Sequence, residues 1–205
     1  MKKGIKRIKE SITKDEYKKL LHFSQNDPNI KENTRVNLLR TFTILYYTGM
    51  RINELQQLRL YHIQELLEKG ETKLLLPKTT SERKLFASTQ FKKELKPLFE
   101  EQLQSDTLDI RVITKKSTNS SINSDVFIKQ VNSKIKEILG DGYTSHSFRQ
   151  GLITQMASKQ INAKIISKFI GHSDVKTTMG YIKPTDDDVK GAMIRWRKLD
   201  ISKLL

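Results

Sequence analysis

A histidine and a tyrosine stand nine positions apart in the segment IGHSDVKTTMGYI, which covers residues 170–182. His172 is one of only four histidines in the chain, and Tyr181 lies near the end of the segment. A tyrosine hydroxyl can form a covalent intermediate if a neighbouring group helps to remove its proton. Two other interpretations stay open from these residues alone: Tyr181 can be an ordinary half-buried aromatic residue, or the segment can belong to a helix-turn-helix that enters a DNA groove.

A second histidine stands three residues before an arginine in TSHSFRQGLITQM, residues 144–156. Thr144 or Ser145 is expected to cap a helix whose first turn carries His146 and Arg149 on one face. Free backbone amides and the helix dipole make such an N-terminus favourable for an anion. The pair therefore suits a phosphate, and the alternative is an ordinary surface pair.

A further arginine follows a predicted helix end in TGMRINELQQL, residues 48–58. Gly49 is expected to terminate one helix, so that Arg51 at the start of the next helix can project into a cleft. Glu54 lies one turn further along the same face and can orient the guanidinium group. Taken alone this motif favours a surface ion pair, and only its combination with the other motifs points to a functional site.

The charge of the chain points to a polyanionic partner. Its 38 basic and 23 acidic residues give a formal net charge of +15, and each lysine or arginine placed on a phosphate releases condensed counterions. The alternative is a lysine-rich surface that only keeps the protein in solution.

The absence of cysteine from the chain excludes disulfides and cysteine-based zinc sites. Because no apolar run reaches the roughly 18 residues of a membrane span, and no secretory signal opens the chain, we expect a soluble protein with no membrane partner.

The elements that position these residues are predicted to be mostly α-helices, with one small antiparallel β-sheet (α+β). Two apolar runs that flank a polar turn in ETKLLLPKTTSERKLFAS, residues 71–88, predict a β-hairpin. The polar residues 114–124 are expected to form a disordered loop. A capping box of Thr13 and Glu16 predicts the start of a helix that runs to about Phe23. Apolar spacing and end signals predict further helices over about residues 34–48, 52–58, 89–104, 123–139, 145–159, 162–170 and 173–180. Ser173 is expected to cap the last of these helices.

Together these motifs resemble the tyrosine recombinase (phage integrase) family over about residues 12–185. The resemblance is carried by TGMRINEL, by PKTTSERKLF on the hairpin, by HSFRQGL as His-x-x-Arg, and by IGHSDVKTTMGYI. It implies the tyrosine recombinase catalytic-domain fold. Arg83 and Lys84 lie on the same hairpin, but Lys78 fits the family's catalytic lysine best. The implied catalytic residues are Arg51, Lys78, His146, Arg149, His172 and Tyr181, with Glu54 in support.

The resemblance implies that Tyr181 attacks a DNA phosphodiester and becomes joined to the 3′ phosphate, leaving a free 5′ hydroxyl. His146 would take the proton of the tyrosine, which needs help because an unperturbed phenol has a pKa near 10. Lys78 would give a proton to the departing 5′ oxygen. The bond between Tyr181 and the phosphate conserves the energy of the broken phosphodiester bond, so that rejoining the strand needs no ATP.

The charge of the reacting phosphate would be balanced by side chains alone. The resemblance implies that Arg51 and Arg149 clamp its non-bridging oxygens, because a planar guanidinium group fits phosphate better than an ammonium group does. His172 would add a hydrogen bond to the same oxygens. No cluster of acidic residues with the character of metal ligands lies beside the motifs, so we expect no metal and no cofactor. The remaining histidines, His22 and His62, are expected at the surface.

We expect residues 1–11 to be a basic arm, residues 12–185 to be the catalytic domain and residues 186–205 to be a C-terminal tail. Most members of the family carry a further helical domain ahead of the catalytic one. This sequence is interpreted as the single-domain form, and the alternative is a fragment of a longer protein. In the family such a tail docks on a neighbouring protomer, and the alternative is that it folds back onto its own chain. The arm residues expected to contact the DNA backbone in place of the missing domain are Lys2, Lys3, Lys6, Arg7 and Lys9.

The resulting hypothesis is a site-specific DNA recombinase for integration, excision or inversion. Its expected partners are double-stranded DNA, further copies of itself in a tetramer on DNA, and an accessory DNA-bending protein. The expected location is the cytoplasm or nucleoid, or the interior of a DNA-containing organelle or host cell. The alternatives are a topoisomerase or resolvase with the same chemistry, and a non-catalytic DNA-binding regulator.

Overall fold

A computed structural model describes residues 10–76, 81–115, 122–172, 174–182 and 184–201. Within these ranges the fold is mostly helical with one two-stranded antiparallel sheet, as predicted. Short 3₁₀ turns lie at Lys96–Leu98 and Gln102–Gln104. The elements are α1 (Lys14–Asn26), α2 (Glu32–Thr48), α3 (Ile52–Leu55), α4 (Leu60–Glu68), β1 (Glu71–Leu76), β2 (Ser81–Phe86), α5 (Thr89–Leu95), α6 (Ser124–Leu139), α7 (Ser145–Ser158), α8 (Ala163–Ile170), α9 (Val175–Met179) and α10 (Asp186–Ile201).

Helix ends follow the predicted local signals. Thr13 and Glu16 form the capping box of α1, in which the Thr13 N–H donates to Glu16 Oε2 at 2.7 Å. Gly49, with φ of +55°, ends α2, and Gly171, with φ of +73°, ends α8. A left-handed conformation at these two positions is the reason that glycine stands there.

Two predicted helices are shorter than expected, and both have a physical cause. The turn that begins at Ile52 stops at Leu55, because the next residues leave the helix to pair with a distant strand-like segment: the Val112 N–H donates to the Leu58 carbonyl at 3.0 Å. The helix predicted over residues 89–104 ends as α5 at Leu95 and continues only as 3₁₀ turns. Pro97, which has no N–H to donate, lies in the first of them.

The β-hairpin is confirmed, and its register decides which side chains face the core. Leu74 of β1 pairs with Arg83 of β2, and Thr72 pairs with Leu85. All four side chains are buried, whereas Lys84, the neighbour of Arg83, is exposed. Because successive residues of a strand point to opposite faces, Arg83 projects inward from β2.

The apolar core has two parts. The main cluster is built around the central helix α2, with Phe42 and Leu45 fully buried, and includes residues of α1 and of α4 to α7. A smaller cluster joins α7 to α8 through Ile153, Ile166 and Ile170. Tyr181 packs against this smaller cluster from the end of α9 and is half-buried.

Two expectations about single residues are wrong. His62 is buried rather than at the surface, since its Nδ1 accepts a hydrogen bond of 3.0 Å from the Arg59 N–H and caps α4. The cap of α9 is Asp174, which accepts from the Lys176 N–H at 2.8 Å, and the predicted cap, Ser173, lies outside the described residues. His22 is exposed as predicted.

Several predicted features lie outside the described parts of the chain. These are residues 1–9 of the predicted arm, Lys78 in the hairpin turn, and residues 116–121 of the polar loop. Within the described ranges, no helix combines the length and the apolar character that crossing a membrane requires.

Candidate active site

The C-terminal end of α2 is the foundation of the candidate site. Its last carbonyls point away from the helix and carry the negative end of the helix dipole. Arg83 Nη2 donates to the Thr48 carbonyl at 3.0 Å, and Arg149 Nη1 donates to the Gly49 carbonyl at 2.8 Å. A Cβ at Gly49 would lie 2.7 Å from Ile170 Cδ1. Glycine therefore allows α8 to pack directly on this end of α2.

Arg51 and Glu54 form the pair that the sequence suggested. Glu54 Oε1 accepts from Arg51 Nη1 at 2.8 Å, and Oε2 accepts from the Arg51 backbone N–H at 2.9 Å. The Arg51 side chain is 52% exposed, whereas that of Glu54 is 8% exposed. The carboxylate is thus a buried anchor that holds a guanidinium group at the mouth of the site.

A second arginine, Arg83, binds the same carboxylate from the core side. Arg83 Nη1 donates to Glu54 Oε2, and both side chains are buried. Burial alone would raise the pKa of Glu54, but the charge of Arg83 and the hydrogen bonds from Arg51 outweigh it and lower that pKa. Burial also lowers the pKa of Arg83, against the opposing effect of Glu54. The three residues form an ionised cluster with two cations for one anion.

Arg149 lies at the floor of the site. It is 1% exposed, so the alternative of a surface pair with His146 is wrong for this residue. Its Nε donates to His172 Nε2 at 3.2 Å, while its Nη2 is buried and has no hydrogen-bond partner among the described residues. Burial, and then the charges of Arg83 and Arg51, lower the pKa of Arg149 to about 9. A buried, partly unsatisfied guanidinium group of this kind gains strongly from an anion.

His172 is held between Arg149 and α9. Its Nδ1 lies 2.8 Å from Thr178 Oγ1, and because Arg149 Nε–H can only donate, Nε2 must be the accepting nitrogen. The Nδ1–H therefore donates to Thr178. Burial, followed by the charge of Arg149, lowers the pKa of His172 to about 4, so the ring is neutral at pH 7. In this arrangement the predicted hydrogen bond from His172 to a phosphate requires one of its two protein partners to release it.

Tyr181 meets His146 across the site. The Tyr181 hydroxyl lies 2.9 Å from His146 Nε2, and its ring stacks on that of His172 at a centroid distance of 6.2 Å. His146 belongs to the first turn of α7, which is capped by Thr144 as predicted. The structure thus brings a phenol within hydrogen-bond reach of a candidate base and beside the cations around Arg149.

The environments of other tyrosines differ from that of Tyr181. Tyr17 and Tyr47 both donate to Glu94 at 2.7 Å, and burial followed by this bond raises the pKa of each. The hydrogen bond to Glu16 raises the pKa of Tyr143 to about 12. A carboxylate partner opposes formation of the phenolate. Tyr181 instead lies beside two histidines, His146 and His172, and close enough to Arg149 to interact with its charge.

Sequence reasoning missed one member of the site. Arg83 was considered only as an alternative to the hairpin lysine, yet it contacts Glu54 and the end of α2, and it passes close to Gly171, where an added Cβ would lie 3.4 Å from its Cδ. The signal that could have found it is the alternation of β2, which places Arg83 on the same face as buried Leu85. Lys78 and the arm residues Lys2, Lys3, Lys6, Arg7 and Lys9 are outside the described residues, so their roles stay predictions.

The same positions fall within a family match. The model of the phage integrase family matches residues 10–188. The chain belongs to the phage integrase family. This match includes all four motifs on which the resemblance rested, and the resemblance is thereby confirmed.

Curated relatives carry recombinase names. The chain is 28% identical over 185 residues to a putative tyrosine recombinase XerC of Pseudomonas aeruginosa, covering 80% of this chain and 42% of that protein. It is 25% identical over 195 residues to the tyrosine recombinase XerA of Pyrococcus furiosus, covering 95% of this chain and 64% of that protein. The chain thus spans between two fifths and two thirds of the length of these two relatives.

Solved structures share the fold. The crystal structure of XerA recombinase superposes with a TM-score of 0.69 at 18% identity, covering 96% of this chain and 66% of that one. XerH recombinase, bound to its palindromic difH substrate in a post-cleavage complex, gives a TM-score of 0.66 at 20% identity, covering 93% of this chain and 54% of that one. At these identities the likeness establishes the predicted catalytic-domain fold.

Proposed function

We propose that this protein is a site-specific DNA recombinase that breaks and rejoins strands through a transient 3′-phosphotyrosine. The observation that carries the proposal is the 2.9 Å contact between the Tyr181 hydroxyl and His146 Nε2, beside a buried Arg149 whose Nη2 has no partner among the described residues. A nucleophile, a base and an unsatisfied cation in one site are the requirements for transesterification of a phosphodiester.

The protein and the DNA supply every atom and proton that the strand-breaking step needs. Tyr181 Oη forms a bond to phosphorus as the bond from phosphorus to the 5′ oxygen breaks, and His146 Nε2 accepts the phenol proton. In the family's mechanism Lys78 protonates the departing 5′ oxygen. The reverse attack by a 5′ hydroxyl of another strand releases the tyrosine. One phosphodiester replaces another, so that no external energy source is required.

Positive charge would be supplied by two arginines with different tasks. Arg149 is fixed at the floor of the site by the Gly49 carbonyl and His172, so its Nη2, which has no partner in the described part of the chain, offers a preorganised donor. Arg51 is half-exposed at the mouth and can close on the opposite oxygen. Fixed donors aimed at developing charge are the most effective form of electrostatic catalysis, because the protein does not reorganise during the reaction.

Self-association on DNA is a further part of the proposal, and α10 supports it. Val189, Met193 and Ile194 of this helix are each at least half exposed, which supports docking on another copy over folding back onto the same chain. Scattered exposure of apolar residues is common, but here three of them lie on one helix close to the C-terminus. We infer that α10 docks on a neighbouring copy when several copies assemble on DNA.

The test uses a library of nicked DNA duplexes with randomised sequence around the nick, since the target site is unknown. Cleavage near the nick releases a short fragment that diffuses away, which traps the covalent complex. The wild-type protein should yield a protein–DNA adduct that survives denaturation, while Tyr181→Phe should bind the same duplexes and yield none. Sequencing of the trapped DNA identifies the preferred site.

Exchange between two duplexes separates a recombinase from the alternatives. If two duplexes carrying the selected site yield strands joined across them, the enzyme is a recombinase. Relaxation of supercoiled DNA without exchange would instead indicate a topoisomerase. Selective binding with no adduct would indicate a regulator and would overturn the proposal.

A further inference from the structure

We propose that Arg83 is a positioning residue for strand cleavage. It neutralises the charge of Glu54, so that the positive charge of Arg51 stays uncompensated and attracts the phosphate. This inference rests on the proposed function, and it concerns a residue outside the catalytic set implied by the family. The proposal follows from the geometry with which two guanidinium groups share one buried carboxylate.

The charge balance of the cluster is the first argument. Glu54 accepts from Arg51 through Nη1 at 2.8 Å and from the Arg51 backbone N–H at 2.9 Å, while Arg83 Nη1 binds Oε2. The carboxylate carries one negative charge and the two arginines carry two positive ones. With Arg83 removed, Glu54 and Arg51 would form a neutral pair, and the attraction of Arg51 for a phosphate would fall accordingly.

Burial makes this effect large. Arg83 is 4% exposed and Glu54 is 7% exposed, so solvent and salt screen their interaction weakly. Arg51, by contrast, has a half-exposed side chain and is free to approach a ligand. Arg83 is therefore the interior counter-ion of Glu54, and Arg51 is its outward-facing partner.

Arg83 also connects the segments that form the floor of the site. Its Nη2 donates to the Thr48 carbonyl at 3.0 Å, and Arg149 Nη1 donates to the next carbonyl, of Gly49. The two arginines thus bind consecutive carbonyls at the negative end of the α2 dipole. The Arg83 side chain also runs along Gly171, the residue before His172. A lysine could keep the charge, but a single ammonium group cannot reproduce the fork that joins Glu54 to Thr48.

The experiment compares two substrates of the selected sequence, one with a natural phosphodiester and one with a methylphosphonate at the scissile position. The methyl group removes the negative charge that Arg51 would neutralise. Rates of covalent adduct formation are measured at saturating DNA for wild type, Arg83→Met, Arg83→Lys and Lys84→Met. Lys84 is the matched control, because it is the next residue of the same strand and its side chain is exposed.

On the natural substrate we expect Arg83→Met to react about 30-fold more slowly than wild type, as loss of one electrostatic contributor would cause. Arg83→Lys should lie between the two, and Lys84→Met should match wild type. On the methylphosphonate the ratio of wild-type to Arg83→Met rates should fall to about 3. If Arg83→Met does not fold, as shown by its circular dichroism, Arg83→Lys carries the same comparison of ratios.

Two results would overturn the inference. Arg83 variants that react at the wild-type rate would show that the residue is not needed. An equal loss of rate on both substrates would show a purely structural role. In both cases the wild-type adduct and its absence from Tyr181→Phe would leave the proposed function standing, whereas a wild-type protein that forms no adduct on any duplex would overturn the proposed function itself.

Discussion

The hydroxyl of Tyr181 lies 2.9 Å from Nε2 of His146, and this contact joins two parts of the molecule that are stabilised separately. His146 lies in the first turn of α7, whose Phe148 is buried in the main core. Tyr181 rests on the smaller cluster around Ile166 and Ile170. The alignment of the phenol with its base therefore depends on how α8 and α9 pack on α7.

Replacing His146 by glutamine is expected to slow adduct formation about 100-fold at neutral pH, because the phenol loses its proton acceptor. The ratio of wild-type to variant rates should shrink as pH rises, since hydroxide in solution increasingly replaces the missing base. Rates of adduct formation between pH 6 and pH 10 measure this. His22→Gln, at an exposed position of α1, should behave as wild type. A ratio independent of pH would rule out the role of base.

The parts of the fold that were predicted correctly depend on neighbours in sequence. The capping box of Thr13 and Glu16 and the stop at Gly49 involve residues only a turn apart, so their signals are readable from the chain. The break after Leu55 was missed because its cause lies far away in sequence: the backbone of residues 58–60 pairs with residues 110–112. His62 was wrongly expected at the surface, because its ring accepts a hydrogen bond from the backbone N–H of Arg59 and no spacing pattern indicates such a bond.

In the candidate site, too, the residue types and their spacing were readable from the sequence, whereas contacts between distant segments were not. The motifs identified Arg51, His146, Arg149, His172 and Tyr181, and the structure places these five side chains around one site. The burial of Arg149 was not predictable from the sequence, because it results from the packing of α2 and α8 against α7. The bond between Arg149 and His172 likewise depends on segments 23 residues apart. Such contacts are properties of tertiary packing rather than of any motif.

His172 should make the protein less stable in mild acid. Its pKa is lowered to about 4 from the ordinary histidine value of 6.5, so the unfolded chain binds this proton more readily than the folded one between these pH values. Stability at pH 7 is unaffected by this group, and it falls as pH drops from 6.5 toward 4. Urea unfolding at pH 7 and pH 5 should show a larger loss of unfolding free energy for wild type than for His172→Gln. Carboxylates that titrate in this range contribute equally to both proteins, and identical losses would contradict the prediction.

Gly151 is expected to be irreplaceable on packing grounds. A Cβ at this position would lie 2.1 Å from the backbone carbonyl oxygen of Ile12, whose own N–H donates to the Ser147 carbonyl at 3.1 Å. Gly151→Ala must therefore push the chain before α1 away from α7, at a cost of about 2 kcal/mol in unfolding free energy. The control is Gly191→Ala in α10, where the nearest atom to the new Cβ is Arg195 Nη1 at 3.7 Å. Equal stability of the two variants in urea would disprove the close approach.

Removing α10 by truncation after residue 185 should leave folding intact and impair assembly. Val189, Met193 and Ile194 are at least half exposed, so their loss takes little apolar contact from the rest of the chain. We expect an unchanged unfolding midpoint, weaker formation of multi-protein complexes on DNA in native gels, and slower cleavage. Replacing the three residues by glutamine in the full chain is the matched control, because it keeps the helix and removes these apolar side chains. Assembly and cleavage at wild-type levels in both proteins would exclude docking through α10.

The basic arm should supply affinity without sequence preference. Lys2, Lys3, Lys6, Arg7 and Lys9 lie outside the described residues, and the prediction rests on their charge. Each contact between a cation and a phosphate contributes about 0.9 to the slope of log affinity against log salt concentration. Deleting residues 1–9 should therefore weaken DNA binding at low salt and flatten this slope by as much as about 4.5 if all five contact phosphates. Replacing the five cations by glutamine should reproduce the effect at full length, because charge and not chain length is responsible. Binding measured by fluorescence anisotropy across a salt series tests both proteins, and an unchanged slope would show that the arm does not touch the DNA backbone.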